Sequence, residues 1–224
     1  SSTSRGLGDV YKRQVQIPDV QAISMNYAGH QFGQYVPQLG DGRGVLLGEI
    51  KVKDKYLDIH VKGSGKTPYS RFGDGRAVLR SSLREYLCGE AMHGLGIPSS
   101  RSLMIFGSDD IVYREKSETA AMIVRTAGTH IRFGSFEKFY HDGLFNRHKE
   151  LCDYAISQYF PDKDKLNNKY AYLLENIVTR TASLIAHWQS VGFCHGVMNT
   201  DNMSILGETL DYGPYGFIDN FSPS

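Results

Sequence analysis

The chain has 224 residues, with 25 Lys and Arg against 24 Asp and Glu, and 41% of its side chains are hydrophobic. That is enough apolar material for one large domain or two small lobes, and the balanced charge argues against a basic nucleic-acid surface or an acidic tail. Apolar runs such as 120–124 are too short to cross a bilayer, and Cys88, Cys152 and Cys194 lack disulfide or metal-ligand spacing, so no nucleic acid, no membrane and a reducing compartment are expected.

Residues 1–14 are polar and Gly-rich, without periodicity or the apolar stretch of a signal peptide, and are set aside as a non-native or disordered leader. Residues 15–126 then read as a β-rich lobe. Strands are expected at 45–52, at 56–62 with period-two alternation, at 102–106 and 111–114 joined by a hairpin turn at 107–110, and at 120–126. A helix is expected over 77–92, with Leu79, Leu83, Tyr86 and Leu87 on its apolar face. Residues 127–224 read as part of a helical lobe. Helices are expected at 146–158 and 170–191, the latter carrying Leu173, Leu174, Ile177, Val178, Thr181, Leu184, Ile185 and Trp188 at helical spacing and ending at Gly192. Residues 160–169 read as a loop, and the junction between lobes falls near 126–136. The expected fold class is α+β, two-lobed with a cleft, the larger lobe incomplete.

Several short patterns carry chemistry. Gly40, Gly42 and Gly44 alternate with Asp41 and Arg43 ahead of a strand, which lets backbone N–H groups approach an anion; a plain glycine turn is the bland alternative. Lys62 ends an alternating strand and Glu85 lies on the following helix, the order of the phosphate-clamping pair of protein kinases. Residues 63–67 (GSGKT) resemble the end of a P-loop, but position 60 is His rather than Gly and Pro68 follows, so that reading is rejected. Asp74 and Gly75 form a turn in which Asp74 could cap the helix, and Arg125 and Arg132 flank the junction where a polyphosphate would suit them.

The most specific pattern follows the long helix. His195 precedes Asn202 by seven residues and Asp211-Tyr212-Gly213 comes next, the order of the kinase catalytic loop and its Asp-Phe-Gly. Asn202 and Asp211 offer hard oxygen ligands for Mg²⁺. The kinase base position holds Val197, which cannot take a proton; the nearby carboxylate is Asp201.

These strings, with Asn26-Tyr-Ala-Gly-His-Gln-Phe-Gly and His60-Val-Lys-Gly-Ser-Gly-Lys-Thr-Pro-Tyr-Ser-Arg, resemble the selenoprotein O family over residues 26–221. The resemblance implies a protein-kinase-like fold and a protein adenylyltransferase (an AMPylase) that moves AMP from ATP, bound in a flipped orientation, to Ser, Thr or Tyr hydroxyls of protein substrates. It implies nucleotide contacts from Gly40, Gly42, Arg43, Lys62, Asp74, Gly75, Arg125, Arg132 and Asp211. Glu85 would hold Lys62, Asp201 would be the proton acceptor, and Asn202 and Asp211 would bind Mg²⁺, with Mn²⁺ as an alternative. Family members are longer, so a fragment truncated at both ends is expected, cytoplasmic from a bacterium or mitochondrial from a eukaryote. Two other readings stand beside it: an ordinary phosphotransferase with Asp201 as a displaced base, and a non-catalytic pseudokinase scaffold.

Overall fold

Strand residues dominate as far as residue 127 and helices dominate after it. A computed structural model describes residues 21–160 and 168–220. Its elements in chain order are β1 (Gly29–Gln31), β2 (Gln34–Val36), β3 (Gly44–Val52), β4 (Lys55–Lys62), β5 (Ala77–Val78) and α1 (Leu79–Gly94), then β6 (Arg101–Tyr113), β7 (Ser117–Ala127), α2 (Phe133–His141), α3 (Phe145–Tyr159), α4 (Lys169–Ser190), β8 (Phe193–Cys194) and β9 (Gly216–Phe217). The class is α+β. The leader expected at 1–14 and most of the loop expected at 160–169 lie outside the described residues. The described residues group into two units: one holds residues up to 26, 39–94 and 100–128, the other 27–38, 95–99 and residues from 129 onward.

In the first unit, β7 is the central strand of an antiparallel sheet. It pairs with β4 from Asp58↔Ala127 to Lys62↔Ile123, with β5 at Ala77↔Ala121, and with β6 along its other edge. Alternation then sorts its side chains. Ala120, Met122 and Val124 join Val61, Val78 and Val112 in a buried apolar cluster. The intervening positions share their face with the cross-strand partners of β4, so Arg125 falls beside His60, and Ile123 beside Lys62.

The structure departs from two expectations. Residues 101–113 form one strand, not a hairpin: β6 stays paired with β7 while the register jumps between Gly107↔Ala121 and Ile111↔Thr119. Gly107–Asp110 is therefore a bulge, and the chain reverses at 114–116, where Arg114 N–H bonds to the Lys116 carbonyl. Helix α1 starts at Leu79 because Ala77 and Val78 are held by β7. Its inner face is Ser82, Glu85, Cys88, Gly89 and Met92, whereas Leu83 and Leu87 are 45% and 64% exposed. The helix is turned so that Glu85 meets Lys62 and Arg125 while Leu83 and Leu87 face outward.

In the second unit, α3 and α4 fall within a residue of their expected bounds. Asn168 caps α4, its side chain accepting from the Tyr170 and Ala171 amides, and Gly192 stops it with φ 66°. Leu173, Leu184 and Trp188 of the α4 stripe are buried, while Leu174 and Val178 are 63% and 58% exposed. Helix α2 and the β1–β2 hairpin were not expected. Among the described residues no helix is long and apolar enough to cross a membrane.

Candidate active site

The first unit holds a buried chain of ionic contacts. Lys62 Nζ donates to Glu85 Oε2 at 2.5 Å, and Arg125 Nη1 donates to Glu85 Oε1 at 3.1 Å. Arg125 Nη2 lies 3.0 Å from His60 Nδ1, and His60 Nε2 lies 3.2 Å from Asp41 Oδ2. All five residues are buried. Two cations, two carboxylates and an imidazole keep the run close to neutral, the condition under which burial of charge is tolerable. The sequence pointed to Lys62 and Glu85. It missed His60, which alternation places on the same strand face as Lys62, and Asp41 within the glycine pattern.

The glycine-rich segment packs on the residues after β4. Gly40 has φ 70°, and a Cβ there would collide with the Tyr69 ring; Gly75 has φ 71°, and a Cβ there would collide with the Gly65 backbone. A Cβ at Gly42 would press on the Tyr69 carbonyl. Thr67 Oγ1 donates to the Asp41 carbonyl at 2.6 Å, and Ser70 Oγ donates to the Gly42 carbonyl at 2.5 Å. Arg43 is exposed. No helix follows 63–67, in keeping with rejection of a P-loop.

Asp74 does not cap α1. Its Oδ1 accepts from the Arg76 amide at 2.9 Å, and both of its oxygens are gripped by Arg114, each at 2.9 Å. The Arg114 guanidinium holds the Asp74 carboxyl below its ordinary range. Arg114 was not among the expected site residues.

In the second unit, His195, Asp201, Asn202 and Asp211 come together around one loop. His195 is buried and stacked on Trp188, with ring centroids 5.1 Å apart. Val197 N–H points to His195 Nδ1 at 3.3 Å, so Nε2 carries the proton and donates to the Asp211 carbonyl at 2.9 Å. Burial pushes the imidazole below its usual value, which keeps it neutral. His195 thus ties the loop to the Asp211 segment. Asn202 completes that tie: its carbonyl accepts from Leu210 N–H at 2.8 Å and from Thr209 Oγ1 at 3.1 Å.

Asn202 Nδ2 donates to the Val197 carbonyl at 3.0 Å, which commits the amide nitrogen and leaves the amide oxygen as the atom that could meet a cation. Among the described residues no group of three or more His, Cys, Asp or Glu could hold a metal. An amide oxygen and a carboxylate alone make no protein cage. They fit Mg²⁺, which keeps waters and takes its other ligands from substrate phosphates.

Asp201 is half-buried, and burial pushes its carboxyl upward, against hydrogen bonds from its own amide and from Gln31 and the charge of Arg132. Gln31 Nε2 donates to Asp201 Oδ2 at 3.2 Å, while Oδ1 has no hydrogen-bond partner among the described residues. Arg132, expected at a phosphate, is buried at the start of α2. Its Nη1 donates to the Asp201 carbonyl at 3.0 Å, and its guanidinium lies 4.0 Å from the Tyr27 ring centroid.

The family model for protein adenylyltransferase SelO matches residues 6–224. The match begins inside the segment set aside as a leader. The chain is 58% identical over 214 residues to the protein nucleotidyltransferase YdiU of Aliivibrio salmonicida, covering 95% of this chain and 44% of that protein. It is 56% identical to the YdiU protein of Thioalkalivibrio sulfidiphilus, with 96% and 44% covered, and 58% identical to that of Myxococcus xanthus, with 92% and 43% covered. The chain belongs to the SelO family. It spans less than half the length of these relatives.

Proposed function

We propose that this chain carries the nucleotide-handling part of a protein adenylyltransferase with a kinase-like fold, which transfers AMP from ATP to Ser, Thr or Tyr hydroxyls of proteins and releases pyrophosphate. The family and the names of the relatives support this reading. The observation that carries it is Asp201. It is the one carboxylate in the loop from His195 to Met203, one of its oxygens is held by Gln31, and the other is buried without a hydrogen-bond partner among the described residues. Val197 stands where a kinase keeps its base.

The acceptor hydroxyl gives its proton to Asp201, and its oxygen attacks the α-phosphorus. The bond from that phosphorus to the oxygen bridging toward the β-phosphate breaks, and pyrophosphate leaves with the bond electrons. A base so placed contributes on the order of 10²–10⁴-fold. Lys62, held by Glu85, supplies fixed positive charge to phosphate oxygens, and Arg43, Arg125 and Arg132 are further candidate phosphate cations. Gly40, Gly42, Asp74 and Gly75 shape the loops of the first unit around the nucleotide. Mg²⁺ on Asn202 and Asp211, when bound, adds charge neutralisation at the phosphates. Mass spectrometry after incubation with ATP tests the reading: an AMP adduct on a hydroxyl side chain supports it, and a phosphate adduct favours an ordinary kinase.

A further inference from the structure

The loop that carries Asp201 is held by elements far from it in sequence. The β1–β2 hairpin turns in two residues, Phe32 at φ 52° and Gly33 at φ 82°, between the paired Gln31 and Gln34. Two of its main-chain amides reach the loop: His30 N–H donates to Thr200 Oγ1 at 2.7 Å, and Phe32 N–H donates to Asn199 Oδ1 at 3.2 Å. Thr200 Oγ1 donates in turn to Glu137 Oε2 at 2.7 Å, and Glu137 Oε1 lies 2.9 Å from His30 Nδ1. From the α2 side, Gly134 N–H donates to the Thr200 carbonyl at 3.0 Å. These contacts and Arg132 fix the backbone of residues 199–201.

The Gln31 side chain reaches the Asp201 carboxylate itself. We infer that Gln31 is a positioning residue for the transfer step: its amide holds Asp201 Oδ2 and so fixes the rotamer of the carboxylate that takes the proton. A neutral donor suits the task. It restricts the rotamer without forming an ion pair that would compete for the proton. Docking of the hairpin does not depend on this side chain, because the neighbouring residues bind the loop through their backbones. The inference rests on the reading of Asp201 as proton acceptor.

Gln31→Met keeps the length of the side chain and removes the donor. It lowers kcat for AMP transfer by about 10- to 100-fold and leaves KM for ATP unchanged, because the interaction matters when the proton moves and not when nucleotide binds. Gln34→Met makes the same change at the paired position of the same hairpin, where the side chain is exposed, and leaves kcat unchanged. An unaltered kcat in Gln31→Met, an equal loss in both variants, or a loss confined to KM for ATP overturns the inference. Failure of the underlying function reading shows separately, in the unsubstituted protein, as no transfer of label from the α-phosphate of ATP.

Discussion

The Lys62 ammonium lies 2.5 Å from the Glu85 carboxylate with both groups buried, and Arg125 engages the second Glu85 oxygen. Removing Glu85 leaves two buried cations facing each other without their shared anion. Glu85→Ala is expected to cost about 3–5 kcal/mol in denaturant unfolding. The Lys62→Ala and Glu85→Ala effects are expected to be non-additive by about 0.5–3 kcal/mol. Strict additivity in the double variant would show that the two side chains do not act as a pair.

Asn202 and Asp211 are the expected metal ligands, and the segments bearing them are joined by the Leu210 N–H to Asn202 carbonyl bond. ATP binding measured by calorimetry should strengthen on adding Mg²⁺ and lose that gain with a chelator. Asp211→Ala should bind ATP equally with and without the metal. A preserved metal response in Asp211→Ala would remove that residue from the ligand set.

Much of this arrangement was legible in the sequence because local order carries it. Alternation marked β4, helical spacing marked α4, and the run from His195 to Asp211 kept a recognisable spacing. What was not legible depends on pairings that no local window contains. Gln31 and Asp201 are 170 residues apart, and nothing within the stretch around Gln31 marks it as a partner. Helix α1 was misjudged because hydrophobic periodicity ranks leucines, whereas the sheet face it covers presents Lys62, His60 and Arg125. Gly107–Asp110 has the composition of a turn, but pairing with β7 on both sides absorbs it as a bulge.

His195 is buried and neutral, with its value held below the usual imidazole pKa of about 6.5. Between the folded and unfolded values the unfolded chain binds more protons. The stabilising contribution is therefore fully present above about pH 6.5 and is lost progressively as pH falls from there toward the folded value. Thermal melts should fall over that interval in the unsubstituted protein and fall less steeply in His195→Gln. Parallel pH dependence in the two proteins would mean that another group controls it.

A groove of about 680 Å³ in the second unit is lined mainly by apolar side chains, including Phe133, Phe136, Leu173, Leu174, Ile177 and Val178. An apolar surface of this kind should bind a hydrophobic dye. Leu174→Lys combined with Val178→Lys should reduce dye fluorescence, and each change should cost less than about 0.5 kcal/mol because both positions are more than half exposed. Absence of dye binding by the unsubstituted protein would show that the groove is covered in solution.

In the proposed reaction, Asp201 takes the proton of a hydroxyl attacking the α-phosphorus. The decisive test is incubation of the protein with ATP labelled at the α- or the γ-phosphate. The α-label should become attached to protein and the γ-label should not. Asp201→Ala should abolish the transfer while ATP binding is retained. Label arriving on protein from the γ-phosphate alone, or undiminished α-label transfer by Asp201→Ala, would rule that reaction out.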